Sequence, residues 1–365
     1  MKLNFILPGR GSEFMGGFLV MYEYALRMKM KGHQVTVIHH PYRSTNKSLK
    51  AWFVALIKYL IGFFRQNYWL PKGFNEKYPG VDFKWAFTIN DGSIPDADIT
   101  IISFWHTAEW VKRLSRDKGK IVYLVQEYEM YMTANEHVKD RMKSNFTSEY
   151  KYIAISPAVV DLLESCGGNA DAYIPNGVNL NAYTLDTTVD SVERVYLAFP
   201  YRLETYKATH LAIEALEIVR ETLGENVRIW SFGPEPLEAL PSWIDYYKRP
   251  SSAKLKELYN KTKIFITPSD YEGWGLSGSE AMACGAALVT TDSGGVNGYA
   301  TDQDNALISP AGDSSALAEN TLVLLKDDNL RKKLSEKGVE DINRFTHESA
   351  ANKFEIFMYK VFSGC

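Results

Sequence analysis

Short apolar runs alternate with amphipathic helical stretches through the first half of the chain. The apolar runs are KLNFIL at 2–7, HQVTVIHH at 33–40, DITIISF at 98–104 and KIVYLVQ at 120–126. A helical pattern lies near 16–31, between the first two runs. Strands that alternate with helices in this way build parallel sheets joined by crossover helices. The pattern therefore predicts an α/β domain.

The same alternation resumes in the second half. In order come VYLAF at 195–199, a helical pattern near 207–223, VRIWSFG at 227–233, KIFITPS at 263–269 and ALVTTD at 287–292. Between the halves, residues 175–193 hold turn formers and acids that interrupt the alternation. We therefore expect a second α/β domain after a hinge, with functional residues just after the strands, where parallel sheets collect their ligands.

Length and charge narrow the class of protein. A chain of 365 residues exceeds what one hydrophobic core usually supports, which favours two domains. The net charge of -3 lacks the basic excess that polyanion binding needs, so nucleic acid is not expected as a partner. Cys166, Cys284 and Cys365 show neither disulfide nor zinc spacing. No secretory leader or membrane-spanning run is apparent, so we expect a cytoplasmic location.

One segment is locally cationic. Residues 41–75 contain six basic side chains and no acidic one. At helical spacing Lys47, Lys50, Lys58 and Arg65 share one face, and aromatic and aliphatic side chains gather opposite it. Two interpretations stay open. The helix packs its apolar side on the core, or residues 47–65 contact anionic lipid at the inner face of the membrane.

The stretch PSDYEGWGLSGSEAMACG at 268–285 predicts a strand end, a glycine-rich loop and a short helix. Unpaired amides at the start of that helix, together with its dipole, attract phosphate. Gly273 and Gly275 let the backbone approach a ligand where a Cβ would block it. Glu272 would then point from the loop toward the group joined to the phosphate, and Glu280 could accept hydrogen bonds from the hydroxyls of a ribose. The alternative is two ordinary surface glutamates.

Two further loops carry candidate residues. Arg202 and Lys207 follow a predicted strand in FPYRLETYKATH, where two cations beside a helix start would neutralise a diphosphate. A solvated pair of cations is the alternative. In the first half, Gly16 and Gly17 open a predicted helix, but a strict dinucleotide fingerprint is missing because Phe14 occupies one of its positions.

Polar residues also follow the strands of the first half. His106 comes after DITIISF, and Gln126 and Glu129 come after KIVYLV. A lone histidine is more often structural than catalytic. Asp96 and Asp98 imitate a metal-binding Asp-x-Asp motif, but they precede a strand and so lie at the wrong end of the sheet. Because there is no cluster of His or Cys, we predict no required metal.

Together these motifs resemble glycosyltransferase family 4, whose members are retaining enzymes of the GT-B fold that use nucleotide-activated sugars. The resemblance runs from KGHQVTV through AISPAVVDLL and YIPNGVNL to YRLETYK, SFGPEP and EGWGLSGSEAMACGAALVTTDSGG. It implies two Rossmann-like parallel-sheet domains, 1–190 and 191–345, that face each other across a cleft. It also implies a final helix within 346–365 that crosses back to the first domain. The opening residues look like a bacterial subgroup that includes rhamnosyltransferases of surface-glycan assembly.

Carried over by position, the resemblance implies roles for the second-domain residues. Arg202 and Lys207 would hold the donor diphosphate, Glu280 would hold the ribose, and Glu272 would contact the donor sugar. The implied catalytic residues are Glu272, Arg202, Lys207 and His106. The implied donor-binding residues are Gly16, Gly17, Arg202, Lys207, Gly233, Glu272, Gly273, Trp274, Gly275, Leu276 and Glu280.

The remaining contacts come from glycines. Gly16 and Gly17 would lie beside the phosphates from the opposite domain, and Gly233 would approach the base. Two positions depart from the family pattern. Many members carry His where this chain has Gln126, and GGVNGY lacks the acid that commonly follows the Gly-Gly pair. The first-domain contact to the donor sugar is therefore left open.

The resemblance implies an activity, and two other functions stay open. The expected reaction moves a sugar from a UDP-, GDP- or dTDP-sugar to a hydroxyl of a glycan or lipid-linked acceptor, with retention and without a cofactor, in cell-surface polysaccharide synthesis. A nucleotide-sugar epimerase or a phosphorylase of the same fold is the enzymatic alternative. The first needs an acid and base pair around the sugar and the second a pyridoxal-bearing lysine, and neither is clear. A non-catalytic nucleotide-sugar-binding subunit is the third possibility.

Overall fold

The first half of the chain forms a parallel sheet. The computed structural model describes residues 1–9, 16–40, 53–54, 56–57, 60–61, 70, 73–188, 195–224, 226–234 and 240–364. Within them the first sheet has seven strands in the order β3-β2-β1-β4-β5-β6-β7. The strands are β1 (Lys2–Pro8), β2 (Gln34–His40), β3 (Asp82–Trp85), β4 (Ile99–Ile102), β5 (Lys120–Val125), β6 (Lys151–Ala154) and β7 (Ala172–Tyr173).

The second half repeats the arrangement. Over the described residues its sheet has six strands in the order β10-β9-β8-β11-β12-β13, again all parallel. The predicted fold class, GT-B with two Rossmann-like parallel sheets, is confirmed. The strands are β8 (Tyr196–Pro200), β9 (Arg228–Gly233), β10 (Ile244–Lys248), β11 (Thr262–Thr267), β12 (Ala287–Thr291) and β13 (Ala306–Ser309).

Helices cross over between the strands, and local signals set their ends. Ser156 accepts a hydrogen bond from the Val159 amide, and Pro157 opens the same helix with its φ already set for a helix start. The described helices are α1 (Gly16–Met30), α2 (Phe74–Lys77), α3 (Trp105–Val111), α4 (Tyr128–Thr133), α5 (Glu136–Phe146), α6 (Pro157–Ser165), α7 (Thr209–Leu223), α8 (Ser252–Asn260), α9 (Leu276–Ala283), α10 (Ser314–Lys326), α11 (Asp328–Ile342) and α12 (His347–Ser363).

Helix α12 packs on the first sheet although it follows the second sheet in sequence. The ring of Phe354 lies 4.3 Å from that of Tyr24 and 6.4 Å from that of Phe5. Glu348 adds an ion pair of 2.8 Å to Arg27 of α1. The core of the first domain therefore includes residues from both ends of the described chain. The domain boundaries at 190 and 345 stay predictions.

The predicted basic face of residues 47–65 lies outside the described residues. The described positions of that segment, 53–54, 56–57 and 60–61, are helical. Phe53 and Leu60 are exposed, so these two side chains are not part of the core. None of the helices that the structure describes is long and apolar enough to cross a bilayer.

Candidate active site

A lysine and a glutamate pair at the carboxyl ends of β8 and β11. Lys207 ends a 3-10 turn, Thr205–Lys207, and its Nζ lies 2.9 Å from Oε2 of Glu272. Ser269 donates to the other carboxylate oxygen of Glu272 at 2.8 Å. The backbone of Glu272 is fixed as well, because its amide donates to the Ser293 carbonyl at 2.9 Å. The predicted loop therefore holds its carboxylate in one position against a cation.

A second carboxylate reaches this pair from the first domain. Glu129 lies on α4, directly after β5, and its charge acts on Lys207. Burial opposes the charged form of Lys207, but Glu272 and Glu129 together raise its pKa. Burial in turn raises the pKa of Glu129, while the charge of Lys207 lowers it. Lys207 thus stays charged at neutral pH between carboxylates of both domains.

The start of α9 lies next to this cluster. Gly275 occupies the N-cap with φ at 90°, a left-handed conformation that favours glycine, and it has no side chain to cap the first amides. The Tyr299 hydroxyl donates to the Gly275 carbonyl at 3.0 Å and so holds the turn. Free amides at a helix start bind phosphate well. The phosphate site at this helix start stays a prediction, and the helix start follows the loop that holds Glu272.

Glu280 and Arg202 form a separate polar group. The Tyr259 hydroxyl approaches Oε2 of Glu280 at 3.5 Å. Burial raises the pKa of Glu280 to about 8, although the Tyr259 hydrogen bond and the charge of Arg202 lower it. Arg202 itself donates through Nη1 to the carbonyls of Tyr201 and Phe232, at 2.8 and 3.2 Å. The guanidinium therefore lies beside the end of β9, where Gly233 was predicted to approach a base.

The glycines of the site serve contacts between the domains. A Cβ built on Gly273 would lie 2.6 Å from the Gln126 carbonyl oxygen and 3.2 Å from Oε2 of Glu129. A Cβ on Gly16 would lie 3.1 Å from the Leu276 side chain. At both positions the atoms that come close to the glycine belong to the facing domain. The predicted reason for Gly273, room for a ligand, is therefore incomplete, because the first-domain backbone already uses that space.

Gln126 directly follows β5 and makes two hydrogen bonds to the first domain. Its Nε2 donates to the Ser103 hydroxyl at 2.6 Å and to the Gly17 carbonyl at 3.3 Å. These bonds tie the ends of β4 and β5 to the start of α1. Gln126 and Gly17 therefore lie together on the first-domain wall of the site, and Gly16 faces Leu276 beside them.

His106 and Trp274 have mainly structural surroundings. The His106 ring is centred 3.6 Å from that of Trp105 and 6.4 Å from that of Trp110, all on α3. Burial lowers the pKa of His106 to about 4, so the imidazole is neutral at pH 7. The Trp274 indole is buried and packs 5.1 Å from Tyr299. Only the backbone of Trp274 is therefore suited to a donor contact.

Asp96 and Asp98 have structural partners, and neither belongs to a metal cluster. Asp96 pairs with Lys118 at 2.6 Å, and Asp98 accepts from the Lys2 amide at 2.7 Å. Both precede β4, as the sequence predicted. Over the described part of the chain, no group of three or more His, Cys, Asp or Glu side chains is placed to hold a metal ion. Cys166 and Cys284 are buried and are not joined in a disulfide.

The second half of the chain matches a known protein family. Residues 189–341 match the family described as Glycosyl transferases group 1. The stretch that matches this family model, called the group 1 domain below, contains Arg202, Lys207, Glu272 and Glu280.

The relatives of the chain are glycosyltransferases. It is 26% identical over 240 residues to the D-inositol 3-phosphate glycosyltransferase of Xylanimonas cellulosilytica, covering 56% of this chain and 57% of that protein. It is 24% identical over 206 residues to the capsular polysaccharide biosynthesis glycosyltransferase CapM of Staphylococcus aureus, covering 51% and 53%. The chain therefore spans just over half the length of these curated relatives.

The fold has solved neighbours over its whole length. The Anabaena protein HepE, solved in complex with UDP-glucose, superposes with a TM-score of 0.73 at 14% identity, over 99% of this chain and 100% of that chain. At this identity the likeness shows the fold alone. It extends beyond the group 1 domain to the first domain.

Sequence reasoning missed two partners of the group 1 domain's carboxylates. Tyr259, on α8, approaches Glu280 from a helix that carries no motif. Ser269 lies three residues before Glu272 in PSDYEG, so the signal that could have found it is a hydroxyl directly after β11. Neither contact follows from residue spacing alone, because each depends on how a loop folds back.

Proposed function

We propose that this protein transfers a sugar from a nucleotide-diphosphate sugar to a hydroxyl of a glycan or lipid-linked acceptor, with retention, in cell-surface polysaccharide synthesis. The observation that carries the proposal is the Lys207–Glu272 pair of 2.9 Å beside the uncapped start of α9. A cation and free amides at one point suit a diphosphate leaving group. The group 1 domain and the capsular relative support the reaction class.

In this proposal each residue of the site contacts a different part of the donor. Lys207 and the amides that begin α9 hold the diphosphate and stabilise the charge that grows on it as the glycosidic bond breaks. Glu280 accepts hydrogen bonds from the ribose, and Gly233 lies beside the base. Glu272 contacts the donor sugar when the diphosphate takes over Lys207. Arg202 completes the charge compensation after turning from its carbonyl partners.

A retaining transfer needs a group that accepts the proton of the acceptor hydroxyl. None of the site carboxylates stands alone as a nucleophile, because Glu272 is paired with Lys207 and Glu129 faces the same lysine. We therefore infer front-face attack, in which a phosphate oxygen of the leaving group takes the proton of the acceptor hydroxyl. His106 stays a predicted catalytic residue and has no assigned part in this step; its ring packs on that of Trp105.

The donor can be found by thermal stabilisation. A ligand that binds only the folded protein raises its melting temperature. At a ligand concentration a hundred times the Kd, the free energy of unfolding rises by about 2.7 kcal/mol. We expect one class among UDP-, GDP- and dTDP-sugars to stabilise the protein, in the presence of EDTA as well as without it. Incubation with that donor alone should then release nucleoside diphosphate slowly. Stabilisation without release would favour the non-catalytic subunit, and an epimerised sugar would favour the epimerase.

Donor affinity should depend on the ionisation of Glu280. A ribose hydroxyl donates best to a carboxylate, and the pKa of about 8 leaves Glu280 protonated in the empty protein at neutral pH. Donor affinity should therefore fall as the pH is lowered from about 9 to about 6, approaching about tenfold per pH unit. Isothermal titration of wild type and Glu280→Gln checks this, because the glutamine variant should lose that dependence. Equal pH profiles for the two proteins would contradict the role.

The raised pKa of Glu280 also affects the stability of the empty protein, and here the pH dependence has the opposite sign to that of donor affinity. Burial raises its pKa in the folded state above the ordinary 4.5, so between these values the folded state holds a proton that the unfolded state releases. The contribution of Glu280 to unfolding free energy therefore falls as the pH rises from about 4.5 to about 8. Thermal melts of Glu280→Gln should show a smaller decline over this window.

Membrane contact through residues 47–65, a cytoplasmic location, metal independence and a rhamnosyltransferase-like subgroup stay predictions. The relatives act in surface polysaccharide and glycolipid synthesis, where acceptors are often held at a membrane. These predictions concern acceptor and location, and the donor site does not depend on them.

A further inference from the structure

Helix α12 has an exposed apolar face on the side away from the first sheet. Ile356, Tyr359 and Phe362 are 57%, 51% and 51% exposed. Met30, at the end of α1, is 74% exposed, and the Tyr359 ring lies 5.9 Å from that of His33 just beyond it. These side chains lie at successive turns of one helix, next to the end of another. We call this set the α12 face.

Lysines without ion pairs adjoin the α12 face. Lys353 and Lys360 are exposed, and neither forms an ion pair with any residue that the structure describes. Glu355, the acid on the same face, pairs with Lys31 at 3.3 Å, and its other carboxylate oxygen lies 2.8 Å from Nε2 of His33. The face is therefore cationic, although the whole chain carries a net charge of -3.

A cavity of about 890 Å³ opens beside these lysines, between α12 and the starts of β5 and β6. Its charged lining comprises Lys120, Lys151, Lys353, Lys360, Glu149 and Asp171. Lys151 is already paired with Asp171 at 2.7 Å, and Lys120 donates to the Val361 carbonyl at 2.6 Å. The rest of the lining is largely apolar, so the cavity combines apolar side chains with charged ones, most of them lysines.

We propose that the α12 face and the adjoining cavity bind the surface of an anionic lipid membrane. Apolar and aromatic side chains beside lysines with long apolar stems are typical of helices that lie in the interface, where the stems follow the apolar surface and the ammonium groups reach the phosphates. The cavity provides room for a headgroup beside Lys353 and Lys360, and Glu149 also lies in its lining. This surface is at the amino ends of the first sheet's strands and shares no residue with the segment 47–65 or with the proposed donor site.

The charges favour a membrane over a second copy of this chain. A two-fold contact through the α12 face would place Lys353 and Lys360 of one copy close to the same lysines of the other, and like charges at an interface cost affinity. An anionic bilayer instead neutralises both lysines at once. Each cation near such a surface strengthens binding by about fivefold, so the pair should contribute about 30-fold.

Vesicle sedimentation with the full chain tests the proposal. The wild-type protein should bind vesicles of phosphatidylcholine mixed with phosphatidylglycerol, and should bind pure phosphatidylcholine much more weakly. Lys353→Gln with Lys360→Gln should lower the partition coefficient about 30-fold. Ile356→Ser with Phe362→Ser should lower it about 100-fold, because two large apolar side chains lose their contact with the bilayer.

Matched controls come from the second domain. Lys332→Gln with Lys333→Gln on α11, and Leu223→Ser with Val323→Ser on α7 and α10, change exposed side chains of the same kinds. They should leave vesicle binding unchanged. Equal binding by wild type and by both α12 variants would overturn the proposal even if the protein binds vesicles, since residues 47–65 are intact in all of them. A dimer in light scattering that Ile356→Ser with Phe362→Ser dissociates, without vesicle binding, would also overturn it.

Discussion

Replacing Lys207 with alanine should lower kcat/KM for the donor by about 10²- to 10³-fold. Lys207 is the cation that lies between the Glu272 carboxylate at 2.9 Å and Glu129 of the facing domain. In the proposed reaction it stabilises negative charge that grows on the diphosphate, an interaction that is stronger in the transition state than in the bound donor. Initial rates of nucleoside diphosphate release over a range of donor concentrations measure the effect.

Loss of the lysine also leaves two carboxylates facing each other, so stability needs its own control. Lys207→Met keeps the apolar stem and should be folded by circular dichroism yet equally inactive, whereas Lys207→Arg should keep part of the activity. Lys254→Ala removes a lysine from an exposed pair of the same length, 2.9 Å to Glu257, and should change nothing. A folded Lys207→Met protein with wild-type turnover would remove Lys207 from the mechanism.

A single methyl group at Gly273 should lower kcat/KM by about 10- to 100-fold. The added Cβ would lie 2.6 Å from the backbone oxygen of Gln126, and this atom cannot turn aside as the end of a side chain can. Relief requires the loop or the facing domain to shift, and overpacking of this kind costs about 1–3 kcal/mol. Kinetics of Gly273→Ala, with small-angle scattering of the same sample, would detect both the lost activity and a wider separation of the domains.

Gly92→Ala is the matched control. A Cβ at Gly92 would lie 3.5 Å from Oδ1 of Asn90, an ordinary contact at an exposed turn far from the second domain's loops. This variant should keep both the activity and the scattering curve of the wild type. If Gly273→Ala also keeps both, the contact between Gly273 and Gln126 has no part in catalysis.

The central strands could be predicted from the sequence because each is a continuous apolar run. KLNFIL, DITIISF and KIVYLV correspond to β1, β4 and β5, which are buried over most of their length. The strands that the pattern missed include all four sheet edges, β3, β7, β10 and β13. Edge strands such as IDYYK are short and partly polar, so tertiary pairing stabilises them more than their own pattern does.

Residue types at the strand ends could also be predicted, but their partners could not. The spacing of Arg202 and Lys207 suggests one pair of cations, whereas in the structure Lys207 pairs with Glu272 and Arg202 donates to backbone carbonyls. Glu129 joins Lys207 from the other domain, across a distance in sequence that no motif spans. Glycine at 273 indicates that a Cβ is excluded, yet the sequence does not say that the excluding atom belongs to Gln126.

Because Phe354 fills the space beside Tyr24 and Phe5, the amino-terminal half cannot complete its interior while it is still being made on the ribosome. The helix His347–Ser363 must be synthesised and must leave the exit tunnel before that half closes, although amino-terminal domains usually fold first. A fragment cut after the first sheet should therefore bind hydrophobic dyes and attract chaperones, and adding α12 as a separate peptide should relieve both.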